Sequence, residues 1–299
     1  DATLMLALVA GQGALPVAVA SAQSKQPLIC ALAGHVPDGL HVDIAFRIEH
    51  LGTFIITLKN KGVTEVCLCG AIVRPQIDPS QIDAATLPLV PIMARSIAGG
   101  EDSALRAVIG IFEQAEFAVR AAHELAPDLI PPQGMLSRVM LPDDAHTDVA
   151  AALRVSVSQG AADLGQACII RGGAVLARED SRGTDAMLRG LTKGAPPFMG
   201  DADPVSEIMD RAGDLLGGVA DWLTGDATQP STRAGLLYKG PKPGQDTRVD
   251  LPTIGPRTVE LAAAAGLAGL VIASGGVILL DRPRVIEAVN GAGLFLWVR

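Results

Sequence analysis

The sequence predicts an α/β protein of two domains, with a parallel sheet in the first and a mixed sheet in the second. Three features carry that expectation. Apolar runs typical of strands buried on both faces recur, beginning with Thr3 to Ala10. Segments with helical spacing separate them. The 33 glycines and 20 prolines among 299 residues supply the tight turns that short connections between strands and helices need. This length accommodates two sizeable cores. With 49% apolar but only 3% aromatic residues, those cores are built from Ala, Val, Leu and Ile.

The first strand ends in Gly11-Gln12-Gly13-Ala14-Leu15-Pro16, and helical spacing follows from Pro16 to Ala22. Strand, glycine turn and helix start form the entry of a Rossmann-like nucleotide-binding unit, where glycines let backbone amides approach phosphate. The third glycine of the dinucleotide fingerprint is missing, so an ordinary βα turn is the competing reading. Leu28 to Ala33 and Val42 to Ile48 read as strands. Leu51 to Lys61 reads as a helix with Phe54, Ile55 and Leu58 on one face. Glu65 to Cys69 is the next strand and leads into Gly70-Ala71-Ile72-Val73-Arg74-Pro75. A helix from Glu101 to Gln114 carries its acids at the favourable end of the dipole. A strand from Phe117 to Ala121 then reaches Ala122-His123-Glu124.

Pro127 to Pro132 reads as a linker, dividing the chain into domains 1–130 and 131–299. Beyond it a helix is expected from Asp144 to Asp163, apolar at Val149, Leu153 and Val157. Gly172-Gly173 should turn a strand ending at Ile170 into Val175 to Glu179. Glu179-Asp180-Ser181-Arg182-Gly183-Thr184-Asp185 opens a further helix, for which Thr184 and Asp185 are natural N-caps. Within an insertion at about 194–238, apolar residues from Val205 to Leu223 fall at helical spacing, which suits packing on the domain or on a second subunit; an acyl-chain cover or interfacial helix is the alternative, weakened by the acidic polar face. Leu261 to Leu280 is twenty residues without a charge but holds four glycines, so it reads as helix end, strand and turn rather than a membrane span. No basic residue precedes the apolar N-terminus, which reads against a secretion signal.

The densest chemistry lies in Lys239 to Thr258, K-G-P-K-P-G-Q-D-T-R-V-D-L-P-T-I-G-P-R-T. If Asp246 to Leu251 is extended, a period of two places Asp246, Arg248 and Asp250 on one face. Two carboxylates flanking a guanidinium suit a hard divalent cation and a phosphate. A surface ladder of Asp–Arg ion pairs satisfies the same spacing.

The run from Lys242 to Pro256 resembles the signature of the LpxI-type UDP-2,3-diacylglucosamine pyrophosphatases, lipid A enzymes of Gram-negative bacteria. The resemblance extends to Gly11, Gly13, Ala14 and Leu15 in the opening turn, to Gly70, Ala71 and Arg74, to His123 and Glu124, and to Glu179, Gly183, Thr184 and Asp185. Ala71 stands where the family has Asn, and Arg182 stands where it has a second Glu. The resemblance implies metal-dependent hydrolysis, with Mg²⁺ or Mn²⁺, of UDP-2,3-diacylglucosamine to UMP and 2,3-diacylglucosamine 1-phosphate (lipid X). It implies Asp250 as the central catalytic residue, and Asp250, Asp246, Asp185 and Glu179 as metal ligands. Substrate would be bound by Gly11, Gly13, Ala14, Leu15, Gly70, Ala71, Arg74, His123, Glu124, Thr184, Lys242 and Arg248. A cytoplasmic homodimer with peripheral contact to inner-membrane lipids is implied as well.

A net charge of −8 argues against nucleic acid or an acidic membrane surface as an electrostatic partner and requires an anionic substrate to meet local basic groups or a metal. Cys30, Cys67, Cys69 and Cys168 have no zinc spacing and read as reduced core thiols. Of the motifs of the metallophosphoesterases only Asp144-Ala145-His146 occurs, without its companions, which excludes that class. The rival functions are a diphosphatase for a soluble nucleotide-sugar and a non-catalytic nucleotide-lipid binding protein.

Overall fold

The computed structural model describes residues 5–72, 75–98, 101–143, 145–162, 164–192 and 233–299. The apolar helical pattern expected between Val205 and Leu223 lies outside the described residues, as does Arg74. The chain gathers into two units. One comprises residues 1–132, 243–255 and 273–285, and the other comprises 133–242, 256–272 and 286–299.

In the first unit, β1 (Leu6–Ala10), β2 (Leu28–Leu32), β3 (Ile44–Phe46), β4 (Glu65–Cys69) and β5 (Ala118–Val119) form an all-parallel sheet in the order β3-β2-β1-β4-β5. The continuous apolar runs are explained by burial on both faces. Ala7, Val9 and Val66 point to one side, with Phe54, Leu58 and Phe112. Leu8, Ala10 and Cys67 point to the other, with Val19 and Ala122. Helices α1 (Leu15–Ser21), α2 (Leu51–Asn60), α3 (Val90–Ala98), α4 (Glu101–Gln114) and α5 (Ala122–Leu125) belong to this unit. Phe54, Ile55 and Leu58 on α2 are buried, as the spacing predicts. Residues 90–98 carry no sequence assignment above and are helical here.

Two segments from late in the sequence complete this unit. Thr253–Ile254 pairs in parallel with Ile278–Leu279. Leu251, Ile278 and Leu280 pack with Leu8, Ala10 and Val19.

The second unit holds a six-stranded mixed sheet. Its strands are β6 (Gly134–Met135), β7 (Ala167–Arg171), β8 (Ala174–Arg178) and β9 (Leu236–Lys239), with Gly269–Ile272 and Phe295–Val298 between β9 and β6. The last two run parallel to β9 and to each other, while β6, β7 and β8 are antiparallel to their neighbours. Gly172 and Gly173, with φ of 58° and 77°, make the two-residue hairpin between β7 and β8, a backbone conformation that favours glycine. Helix α6 (Ala145–Ala161) buries Val149, Ala152 and Val155, whereas Val157 is 62% exposed, against the sequence expectation. The buried stripe is wider in alanine than in large apolar residues, so spacing of the large ones alone misses its centre. The segment assigned to the insertion ends inside β9, whose Leu236 and Leu237 are fully buried.

All four cysteines are free and buried, and burial pushes the Cys30 and Cys168 thiols up to about 12. Among the described residues no helix is long and apolar enough to cross a membrane.

Candidate functional site

The C-terminal edge of the parallel sheet is organised by a close approach of two glycines. The Gly11 amide donates to the Cys69 carbonyl at 2.8 Å, and Gln12 and Ala71 exchange hydrogen bonds at 2.8 and 2.9 Å. A Cβ on Gly11 would lie 2.5 Å from the Ala71 carbonyl oxygen, and one on Gly70 (φ 93°) would lie 2.8 Å from the Gly11 backbone. Only glycine fits at either place. Ala71 enters the crossing through its main chain, so its departure from the family's Asn leaves that bridge intact. Gly13 (φ 93°) has open space around it, and its amide donates to Asp38 Oδ2 at 3.1 Å. Gly11, Gly13, Ala14, Leu15, Gly70 and Ala71 are thus brought together at the ends of β1 and β4. In this strand order that is the point where chain direction across the sheet reverses, the position at which open α/β sheets bind ligands.

The signature loop returns to this unit with a different shape from the extended one its spacing suggests. Residues 247–249 form a turn, and the Asp246 carbonyl accepts from the amides of Val249 (3.4 Å) and Asp250 (3.3 Å). The cause is local: the Asp246 carboxylate accepts from the Arg248 amide at 3.1 Å, the self-bonding by which Asp favours turns over strands. The Arg248 guanidinium then grips the same carboxylate through Nε (2.9 Å) and Nη2 (2.7 Å) and reaches Glu113 through Nη1. Arg248 holds the Asp246 carboxyl below the usual carboxylate range, and Asp246 in turn raises the guanidinium. Asp250 is half-buried, and its Oδ2 accepts from Gln245 Nε2.

A cavity of about 30 Å³ links the loop to the sheet edge. Thr247, Arg248 and Val249 line it together with Leu15, Cys69 and His123. His123 Nδ1 is buried without a hydrogen-bond partner among the described residues. Glu124, beside it, accepts from the Ala121 amide and from Arg120 Nε, both at 3.0 Å. Those bonds, the amide first, hold its carboxyl low and cap α5. Residues singled out from three distant stretches of sequence therefore meet in one place within the first unit.

The second unit carries the remaining candidates. Helix α7 (Thr184–Thr192) starts at Thr184, whose hydroxyl donates to Glu179 Oε1. Lys239 Nζ, at the end of β9, donates to Thr184 Oγ1 at 2.7 Å, and the Gln166 amide donates to Glu179 Oε2 at 2.7 Å. These groups are closed off from water: Glu179, Thr184 and Lys239 are 9%, 6% and 8% exposed. Asp185 pairs with Arg257 (3.0 Å) and Arg189 (3.4 Å). Arg182, which replaces the family's Glu, clasps Asp180 at 2.8 Å and lowers its pKa. Lys242 is half-buried.

Nothing in the sequence pairs Lys239 with Thr184 or marks Asp38 as the partner of the Gly13 amide. A charged residue closing the apolar run Leu236-Leu237-Tyr238 is the signal that marks Lys239.

Among the described residues no three of His, Cys, Asp and Glu stand close enough together to cage a metal. The carboxylates of the signature loop are nonetheless hard oxygen donors. Mg²⁺ is held elsewhere by one or two carboxylates, with substrate phosphates and water completing its shell, but here Asp246 already gives both oxygens to Arg248.

A parallel sheet with a glycine crossing and an acidic–basic loop at its C-terminal edge, joined in sequence to a mixed-sheet unit, defines a two-unit α/β protein. The family model described as the LpxI N-terminal domain matches residues 5–129, and that described as the LpxI C-terminal domain matches residues 132–297. The chain belongs to the LpxI family. The UDP-2,3-diacylglucosamine pyrophosphatase LpxI of Caulobacter vibrioides is 35% identical to it over 296 residues, 97% of this chain and 96% of that protein.

Proposed function

We propose that this chain hydrolyses the diphosphate of UDP-2,3-diacylglucosamine, releasing UMP and 2,3-diacylglucosamine 1-phosphate, as a step of lipid A biosynthesis. The observation that supports this most is the cavity where the signature loop meets Leu15, Cys69 and His123, beside the glycine crossing. Family membership and the name of the Caulobacter relative supply the substrate.

In this reading Asp250 orients the attacking water and receives its proton. Water oxygen bonds to the phosphorus on the sugar side, and the bond from that phosphorus to the bridging oxygen breaks, so the bridging oxygen leaves with UMP. Arg248, held in place by Asp246 and Glu113, presents a fixed positive charge to the phosphates, and the resemblance assigns Lys242 to substrate as well. Asp250 and Asp246 would hold Mg²⁺ or Mn²⁺ together with phosphate oxygens; such an ion, when bound, neutralises diphosphate charge. The resemblance alone assigns Glu179 and Asp185 to metal and Thr184 to substrate. The acyl chains bind by apolar burial, worth about 0.8 kcal/mol per methylene.

The test is UMP release from UDP-2,3-diacylglucosamine with Mg²⁺, with Mn²⁺ and with chelator. Release that chelator abolishes and added metal restores is expected. Binding of the lipid nucleotide without any UMP would overturn the reading. A homodimer at the cytoplasmic face of the inner membrane completes the proposal, checked by light scattering of the eluting protein and by co-sedimentation with lipid vesicles.

A further inference from the structure

Helix α4 joins the core of the first unit to the signature loop. Its inner side is fixed, with Ile109, Ile111 and Phe112 each no more than 2% exposed. Two outward residues, Arg106 and Glu113, are about two turns apart and so lie on one face. Both reach the loop. Arg106 Nη2 donates to the Gly244 carbonyl at 2.7 Å, and the Glu113 carboxylate accepts from Arg248 Nη1. Val249, in the same turn as Arg248, packs against the cluster that holds Ile109 and Phe112. These three contacts all fall inside one unit.

Each polar contact governs a residue of the proposed reaction. Asp246 grips Arg248 along its Nε and Nη2 edge, but both sit on the same turn, so this grip alone lets them shift together. Glu113 ties the other end of the guanidinium, at Nη1, to a helix packed in the core. Held on both sides, the guanidinium presents its remaining donors in one direction. At the base of the loop Gly244 turns the chain with φ of 75°, and the next residue, Gln245, donates through Nε2 to Asp250 Oδ2. By holding the Gly244 carbonyl, Arg106 sets where Gln245, and through it Asp250, stands.

We propose that Glu113 and Arg106 are positioning residues of the hydrolysis, with α4 the fixed frame that keeps Arg248 and Asp250 in the geometry of the reaction. This rests on the proposed function and adds to it two residues outside the motifs that carry the family resemblance. The Glu113 side chain is 49% accessible and that of Arg248 is 35%, so the pair contributes little to stability. What it restricts is direction, and a misplacement of about 1 Å in a reacting geometry is worth about a hundredfold in rate. Preorganised charge acts most where charge develops in the transition state, so its loss falls on kcat.

Steady-state UMP release from UDP-2,3-diacylglucosamine by the full-length protein is the test. Glu113→Gln keeps the size and an acceptor oxygen but removes the charge that ties Arg248. It is expected to lower kcat about tenfold, with KM within about twofold and the thermal midpoint within about 2 °C. In an Arg248→Lys background the same change should cost less than about twofold, because the fork that Glu113 orients is gone. Arg106→Met should lower kcat about fivefold in both backgrounds, since it acts through Gln245 and Asp250. A fall in kcat below about threefold for Glu113→Gln, a rise in KM with kcat unchanged, or an equal loss in both backgrounds would each overturn the role of Glu113. Faster turnover would overturn it too, because Glu113 would then be competing with the phosphates for Arg248. A change of less than about twofold in Arg106→Met would overturn the role of Arg106. If the Arg248→Lys protein is too slow to assay, the split between kcat and KM decides. UMP release by the unmodified chain with both variants unaltered removes this inference alone. No release by the unmodified chain removes the hydrolase reading, and this inference with it.

Discussion

At the edge of the parallel sheet, polar groups are main-chain amides, a half-exposed arginine and loop carboxylates, whereas in the mixed-sheet unit Lys239, Thr184 and Glu179 are shut away from water and bind one another. Exposed groups of the first kind remain available to a ligand. Groups of the second kind fix the start of α7 relative to β9, and their removal leaves a charge in a low-dielectric interior. Chemistry should therefore fail without unfolding when those exposed groups are altered, and folding should suffer first when the buried ones are.

The largest effect is expected at Asp250. Asp250→Asn should lower kcat about a thousandfold while the thermal midpoint stays put. A rate within tenfold of the unmodified protein, in the UMP-release assay, moves catalysis to another residue. Lys239→Met should cost about 1–3 kcal/mol in urea unfolding, because the buried Thr184 hydroxyl loses the ammonium that donates to it. A loss below about 1 kcal/mol would mean the network is wet, and the contrast between the units would fail. Gly11→Ala forces a methyl to within 2.5 Å of the Ala71 oxygen and should cost about 1–3 kcal/mol. At Gly13, where space is open but φ is 93°, alanine should cost about 1 kcal/mol. Equal losses at the two positions would separate the crossing from any special role of its close approach.

The mildest signature is acid dependence. Arg47 and the Asp78 amide hold the Glu49 carboxyl down at about 2, below its value of roughly 4.3 in an unfolded chain. A depressed carboxylate stabilises fully above the unfolded value and loses that contribution as pH falls through the folded one. Stability should thus decline between about pH 4.3 and 2, and Glu49→Gln should flatten that decline. An identical acid profile for the variant would show that Arg47 is not held as described.

Much of this fold is written locally. The apolar runs at residues 6–10, 28–32 and 65–69 can only be strands covered on both faces, and Gly172-Gly173 admits little besides a tight hairpin. Gly11 and Gly70 are conspicuous as glycines, but which atoms they approach is a property of two strands brought side by side. What sequence does not reveal is long-range pairing. Thr253–Ile254 with Ile278–Leu279 leaves two short apolar stretches whose attachment to the first unit has no nearby marker. Asp246 to Asp250 alternates like a strand, yet a carboxylate that bonds its own chain two residues on defeats that period. Arg47 and Glu49 are two residues apart and unremarkable in sequence; only burial of one and exposure of the other distinguishes them.

The discontinuity of the first unit bears on the order in which the protein is made. Leu251, Ile278 and Leu280 complete the cover that Val19 and Ala122 begin over Leu8, Ala10 and Cys67, so synthesis must pass residue 280 before that cover is finished. During elongation the N-terminal sheet emerges with one side only partly covered, exposing apolar surface to other nascent chains or to a chaperone. A fragment ending at residue 132 would remain in that unfinished condition, however well its strands pair.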